Sequence, residues 1–103
     1  MVNRGEVWWY EHPDAGRHPF VNLTRSEAIP VLTQVVAAPL TRTIRDIPTE
    51  VLVDESDGLS GPAVISTDSL TAIRVSLCTE RITTLSSGRL RAVCEALRAA
   101  LAC

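Results

Sequence analysis

Short apolar runs rich in β-branched residues, several of them alternating with polar positions, follow one another along most of the chain. They predict strands at Glu6–Tyr10, Phe20–Thr24, Val31–Leu40, Thr49–Asp54, Ala63–Thr67 and Ile82–Leu85. Thr49–Asp54 alternates most cleanly, with Val51 and Val53 on one face and Glu50, Leu52 and Asp54 on the other. Ile73–Leu77 fits either a further strand or a 3-10 turn. His12-Pro13-Asp14-Ala15-Gly16 and Gly58–Pro62 carry the residues of turns or loops. The spacing changes only at the end of the chain. Leu90, Val93, Cys94, Leu97 and Leu101 fall within roughly a 100° arc of a helix, with Arg89, Arg91, Glu95 and Arg98 facing away as a solvated surface that includes an Arg91/Glu95 pair. Ser86 or Ser87 supplies the N-cap. The expected fold is mainly β with a C-terminal α-helix that covers the open side of a small barrel.

Length and composition narrow this further. A chain of 103 residues with 46% apolar positions spread along its length suits one packed domain, 1–103, rather than two cores or a disordered tail. No run approaches the roughly 20 apolar residues of a membrane span, and Met1–Glu6 lack the apolar segment of a signal peptide, so a cytoplasmic protein with no membrane role is expected. Cys78, Cys94 and Cys103 are odd in number and widely spaced, and only His12 and His18 could add imidazole ligands, which argues against a disulfide framework or a structural zinc site. A net charge of −2 excludes binding to nucleic acid through a general positive field, so any such contact must be local. All ten basic residues are Arg, which fits codon bias better than selection for phosphate contacts.

Four segments carry a likeness that their order strengthens. Arg4-Gly5-Glu6-Val7-Trp8 stands at the start. Ala15-Gly16-Arg17-His18-Pro19 precedes Phe20-Val21-Asn22-Leu23-Thr24. Val35-Val36-Ala37-Ala38-Pro39-Leu40-Thr41 leads to Ile47-Pro48-Thr49-Glu50-Val51, and Glu80-Arg81-Ile82 precedes the closing helix. Together they resemble the MazF/PemK toxin family over nearly the whole chain. The resemblance implies an SH3-like small barrel of the MazF/CcdB/Kid type, a homodimer, and sequence-specific cleavage of single-stranded RNA without metal or other cofactor. It also implies a cognate antitoxin lying in the dimer groove. The family's catalytic Arg and Thr would correspond to the residue before Pro19 and to Thr41. That first position holds His18, with Arg17 one residue earlier, and on an extended backbone a one-residue shift turns a side chain to the opposite face. Either the loop rearranges, or His18 takes the role, or activity is impaired.

RNA cleaves itself when a 2′-hydroxyl attacks the adjacent phosphorus, so an enzyme need only move protons and stabilise charge. Histidine suits proton transfer near neutrality, and arginine suits the phosphoryl oxygens through its fork of donors. His18 is therefore the expected acid/base, Arg17 or Arg42 the charge stabiliser, and Thr41 the phosphate-holding hydroxyl. Arg42, Thr43 and Arg45 form a basic segment suited to following an RNA backbone. Asp68 and Ser69, in Thr67-Asp68-Ser69, are candidates for base-edge contacts, with turn formation an equal reading. Trp8, Trp9 and Tyr10 read as core or interface aromatics ahead of base-stacking ones. Two other functions share the fold class. A CcdB-like gyrase poison is disfavoured by the Leu101-Ala102-Cys103 ending, which lacks the Trp-Gly-Ile of that family, and a non-catalytic interaction module is favoured by the displaced Arg.

Overall fold

A computed structural model describes residues 2–103. Strands β1 (Glu6–His12) and β2 (Gly16–Asn22) form an antiparallel hairpin. Both run further toward the turn than the apolar pattern indicates. Gly16 takes a left-handed φ of 81°, and His12 Nδ1 accepts from the backbone N–H groups of Asp14 (3.0 Å) and Ala15 (3.3 Å). Of the two readings, turn or loop, the segment is a closed turn, and Arg17 and His18 lie on a strand.

Strand β3 (Gln34–Thr41) is the hub of the sheet. Its first half pairs with β6 (Thr71–Arg74), Ala37–Pro39 pair with β2, and Leu40 and Thr41 pair with β5 (Ala63–Ser66). Such divided pairing bends the sheet on itself. The path runs β4-β5-β3-β2-β1-β7, where β4 is Glu50–Val53 and β7 is Cys78–Thr84. The expected strand at Val31 begins later, because Pro30 sits in a 3-10 turn, Ile29–Val31, that leaves Val31 82% exposed. Ile73–Leu77 divides between the end of β6 and a 3-10 turn, Val75–Leu77.

Helix α1 (Ser87–Leu101) is capped by Ser86, whose hydroxyl accepts from the Arg89 N–H at 3.1 Å. Val93 and Ala96 are its buried residues, and they join Val7, Val21, Leu40, Val53 and Ile65 in the main core. The helix is rotated relative to the periodicity argument. Leu101 is exposed, and Arg89 turns inward to donate to Asp57 Oδ1 at 3.0 Å. Among the described residues Arg91 and Glu95 form no ion pair. A smaller core of Ile29, Val35, Ala37 and Ile73 packs under Tyr10 and Phe20. No helix is long and apolar enough to cross a membrane.

Glu6 is a buried carboxylate at the start of β1. Burial pushes its pKa up, but hydrogen bonds from Trp8 Nε1 (3.0 Å), the Asn3 backbone N–H (2.7 Å) and Arg81 (3.2 Å) outweigh that and leave it below its ordinary value of 4.5. A depressed folded-state pKa contributes stability above the unfolded value, and that contribution is lost as pH falls through the lower folded one. Glu6→Gln should cost about 1–3 kcal/mol at pH 7. Thermal melts should show the gap to the parent chain closing as pH drops below 4.5. A gap independent of pH would show that the carboxylate charge plays no part.

Candidate active site

Where β3 leaves β2 to join β5, the bend opens a cleft of about 500 Å³. One side is formed by Trp9, Pro19 and Ile82, the floor by Leu40, Thr41 and Ala63, and the other side by Arg42 and the segment Gly58–Gly61. Thr41 Oγ1 accepts from the Thr43 backbone N–H at 3.3 Å, which leaves its O–H free to donate to an incoming acceptor. Arg42 reaches only a hydroxyl, Ser60 Oγ, at 3.4 Å. Among the described residues no carboxylate forms an ion pair with its guanidinium, although Arg42 Nη1 and Glu55 Oε1 flank the same space beside Gly61.

The β1–β2 register places Arg17 and His18 on opposite faces. Trp9 pairs with Pro19 and Glu11 with Arg17, so these four side chains share a face. The Arg17 guanidinium stacks 4.3 Å from the Trp9 ring centroid, beside the cleft wall. It is held by Glu80 at 3.1 Å and Glu11 at 3.7 Å, both exposed. Pairs of this kind contribute only about 0.2–1 kcal/mol, so a phosphate can compete for the same donors. His18 pairs with Tyr10 and lies on the other face, its Nε2 2.9 Å from the Ala15 carbonyl. The structure thus brings Thr41 and Arg42 into the cleft and Arg17 beside it, and it does not bring His18 there.

The remaining expected contact residues divide in the same way. Thr43 sits at the cleft edge only through its backbone bond to Thr41. Arg45 turns away to Glu50, with ion pairing at 3.6 Å and its backbone N–H on Glu50 Oε1 at 2.9 Å. Asp68 and Ser69 lie beyond the opposite end of β5 in the 3-10 turn Thr67–Ser69. There Asp68 accepts from the Thr49 hydroxyl, and Ser69 meets Ser66 at 3.4 Å. Their surroundings favour turn formation over base reading. Sequence reasoning gives Trp9 base stacking only as its second reading and assigns no role to Ser60 or Gly61. The signal for them is the Gly58–Pro62 turn, which reads only as a chain reversal. Burial pushes the Cys78 thiol up from its usual value, and it does not line the cleft.

The cleft thus combines a guanidinium without an ion pair, an O–H free to donate and the Trp9 ring, an arrangement able to take an anion. Comparison with known proteins identifies the family. The family model described as "PemK-like, MazF-like toxin of type II toxin-antitoxin system" matches residues 3–101. The "Probable endoribonuclease MazF5" of Mycobacterium tuberculosis is 40% identical over 101 residues, covering 97% of this chain and 93% of its own. Among solved structures, the Mycobacterium tuberculosis toxin MazF-mt6 superposes with a TM-score of 0.86 at 33% identity, covering 94% of this chain and 96% of that one. An endoribonuclease from a mycobacterial species, solved with its cognate antitoxin, gives a TM-score of 0.89 at 24% identity over 99% of this chain and 96% of its own, a likeness of fold alone. The chain belongs to the PemK-like, MazF-like toxins of type II toxin-antitoxin systems.

Proposed function

We propose that this toxin is an endoribonuclease that cuts single-stranded RNA, sequence-specifically and without metal, by making the RNA's own 2′-hydroxyl attack the adjacent phosphorus. The observation that carries the reading is the placement of Thr41 and Arg42 in one cleft, with the Thr41 O–H and the Arg42 N–H donors free of carboxylates. Thr41 donates to one phosphoryl oxygen. Arg42 grips the other, and Arg17, stacked on Trp9, adds positive charge from the side as the phosphorane forms. No histidine or carboxylate lines the cleft, so the 2′ proton leaves to water rather than to His18, and the 5′ oxygen released as the P–O5′ bond breaks takes a proton from water. As a toxin of a two-component system, the chain has a cognate antitoxin as its partner in the cytoplasm, and it works as a homodimer. The designation of the relative MazF5 as an endoribonuclease supports this reading over a gyrase poison or a non-catalytic module.

Incubating the purified chain with total RNA, with and without EDTA, tests the reading. Equal cutting in both is expected; cutting abolished by EDTA, or supercoil trapping in place of cutting, would overturn it. His18→Ala should retain cleavage within about threefold, and the rate of either protein should keep rising through pH 5–8 with no plateau near the imidazole pKa of about 6.5. A plateau present in the parent and lost in His18→Ala would return the proton transfer to His18.

A further inference from the structure

We propose that Arg89 and Asp57, the ion pair between α1 and the turn that leads into the cleft, are positioning residues for cleavage: they hold that turn so that Arg42 meets the Ser60 hydroxyl and not the Glu55 carboxylate. The inference rests on the reading that Thr41 and Arg42 hold a phosphodiester. Neither Arg89 nor Asp57 lines the cleft, so an effect of either on the chemistry passes through the turn between them and Arg42. Glu55 begins that turn, the 3-10 segment Glu55–Asp57. Beside Gly61, Glu55 Oε1 and Arg42 Nη1 stand 3.9 and 3.8 Å from the point where a Cβ would sit, yet among the described residues these two form no ion pair. A carboxylate that near needs only a small displacement of the turn to neutralise the guanidinium.

Asp57 is the junction. Its side chain is only 8% exposed, and both carboxylate oxygens are engaged: Oδ1 accepts from Arg89 Nε at 3.0 Å and Oδ2 from the Asp54 backbone N–H at 2.9 Å. Its backbone carbonyl accepts from the Thr83 hydroxyl of β7 at 2.8 Å. The turn is thereby tied to α1, to β7 and to its own start. Gly58 follows directly, left-handed at φ 91°, and passes so close to the Thr83 side chain that a Cβ could not fit. The chain leaving Asp57 has little freedom, and Gly58, Leu59, Ser60 and Gly61 emerge along one side of the cleft. Removing the Arg89 cation leaves a buried carboxylate without its counter-charge, and such a group is driven back toward water. The turn would move with it, and a misplacement of about 1 Å in a group that stabilises charge costs on the order of 10²-fold in rate.

Substitutions on both sides of the pair test this. Asp57→Asn keeps an oxygen for the Asp54 N–H but turns its NH2 toward Arg89, donor against donor, and so releases the pair. It also removes a negative charge, which by itself would favour RNA, so a loss of activity has the opposite sign to a general charge effect. Arg89→Ala keeps the backbone N–H that donates to Ser86, and the helix start is retained. Cleavage of a defined oligonucleotide, at a temperature where thermal melts show every variant folded, should find kcat/KM lowered about tenfold in each. Arg89→Lys keeps a cation for Asp57 and should stay within about threefold of the parent. Adding Glu55→Gln to either single variant should recover most of the loss, because the displaced turn then brings Arg42 an uncharged amide. Structural weakness alone would not be repaired by that change. Parent-like kcat/KM in both single variants, or no recovery with Glu55→Gln, would overturn the role of the pair while leaving the nuclease reading standing. A parent chain that cuts no RNA would overturn that reading and this role with it.

Discussion

Replacing Thr41 by Val should reduce RNA cleavage by on the order of 10²-fold or more while leaving the protein folded. Valine keeps the branched shape that β3 needs opposite Val64 of β5, so only the hydroxyl is removed. That hydroxyl is already committed on its acceptor side to the Thr43 N–H, and its remaining function is to donate. A donor aimed at a developing negative charge acts more strongly in the transition state than in the ground state, so the loss should fall on kcat rather than KM. Thr41→Ser restores the donor and should recover most of the rate. Single-turnover cleavage of a defined oligonucleotide reads all three proteins, and wild-type kcat in Thr41→Val would remove Thr41 from the chemistry.

Arg42→Ala should act on binding as well as rate. Among the described residues its guanidinium forms no ion pair with a carboxylate, and its loss should lower kcat/KM by about 10²-fold. For a single strand, each phosphate that a protein cation neutralises steepens the dependence of log K on log salt by about 0.7. The slope of Arg42→Ala should be shallower by that amount. Arg17→Ala should have the smaller effect, since Glu11 and Glu80 already offset much of its charge. Fluorescence anisotropy between about 50 and 200 mM salt separates the two, and equal slopes for Arg42→Ala and the parent would show that Arg42 touches no phosphate.

Much of this fold is legible in local pattern. The alternation through Val51 and Val53 places the correct face of β4 in the core, and the spacing through Leu90 and Val93 finds the helix. What is not legible depends on contacts distant in sequence. Nothing near Arg89 announces that Asp57 will draw it inward, and nothing near Asp68 announces that Thr49 will engage it. The parity of Arg17 and His18 is visible as a question, but its answer needs the pairing of Trp9 with Pro19. Trp9 reads as a core or interface aromatic ahead of a base-stacking one, because adjacent aromatics usually are. It becomes a cleft wall only when β3 bends away from β2 and the Gly58–Gly61 segment closes the other side.

The ends of the cleaved RNA carry the most direct evidence on the chemistry. If the ribose hydroxyl is the nucleophile, the upstream fragment must carry a 2′,3′-cyclic phosphate and the downstream fragment a free 5′-hydroxyl, and a single 2′-deoxy sugar at the cut must block cleavage. Mass spectrometry of both fragments from a defined oligonucleotide should find those ends. A 5′-phosphate on the downstream fragment, or undiminished cutting at the deoxy position, would mean that water attacks the phosphorus and that Thr41 and Arg42 serve a different reaction.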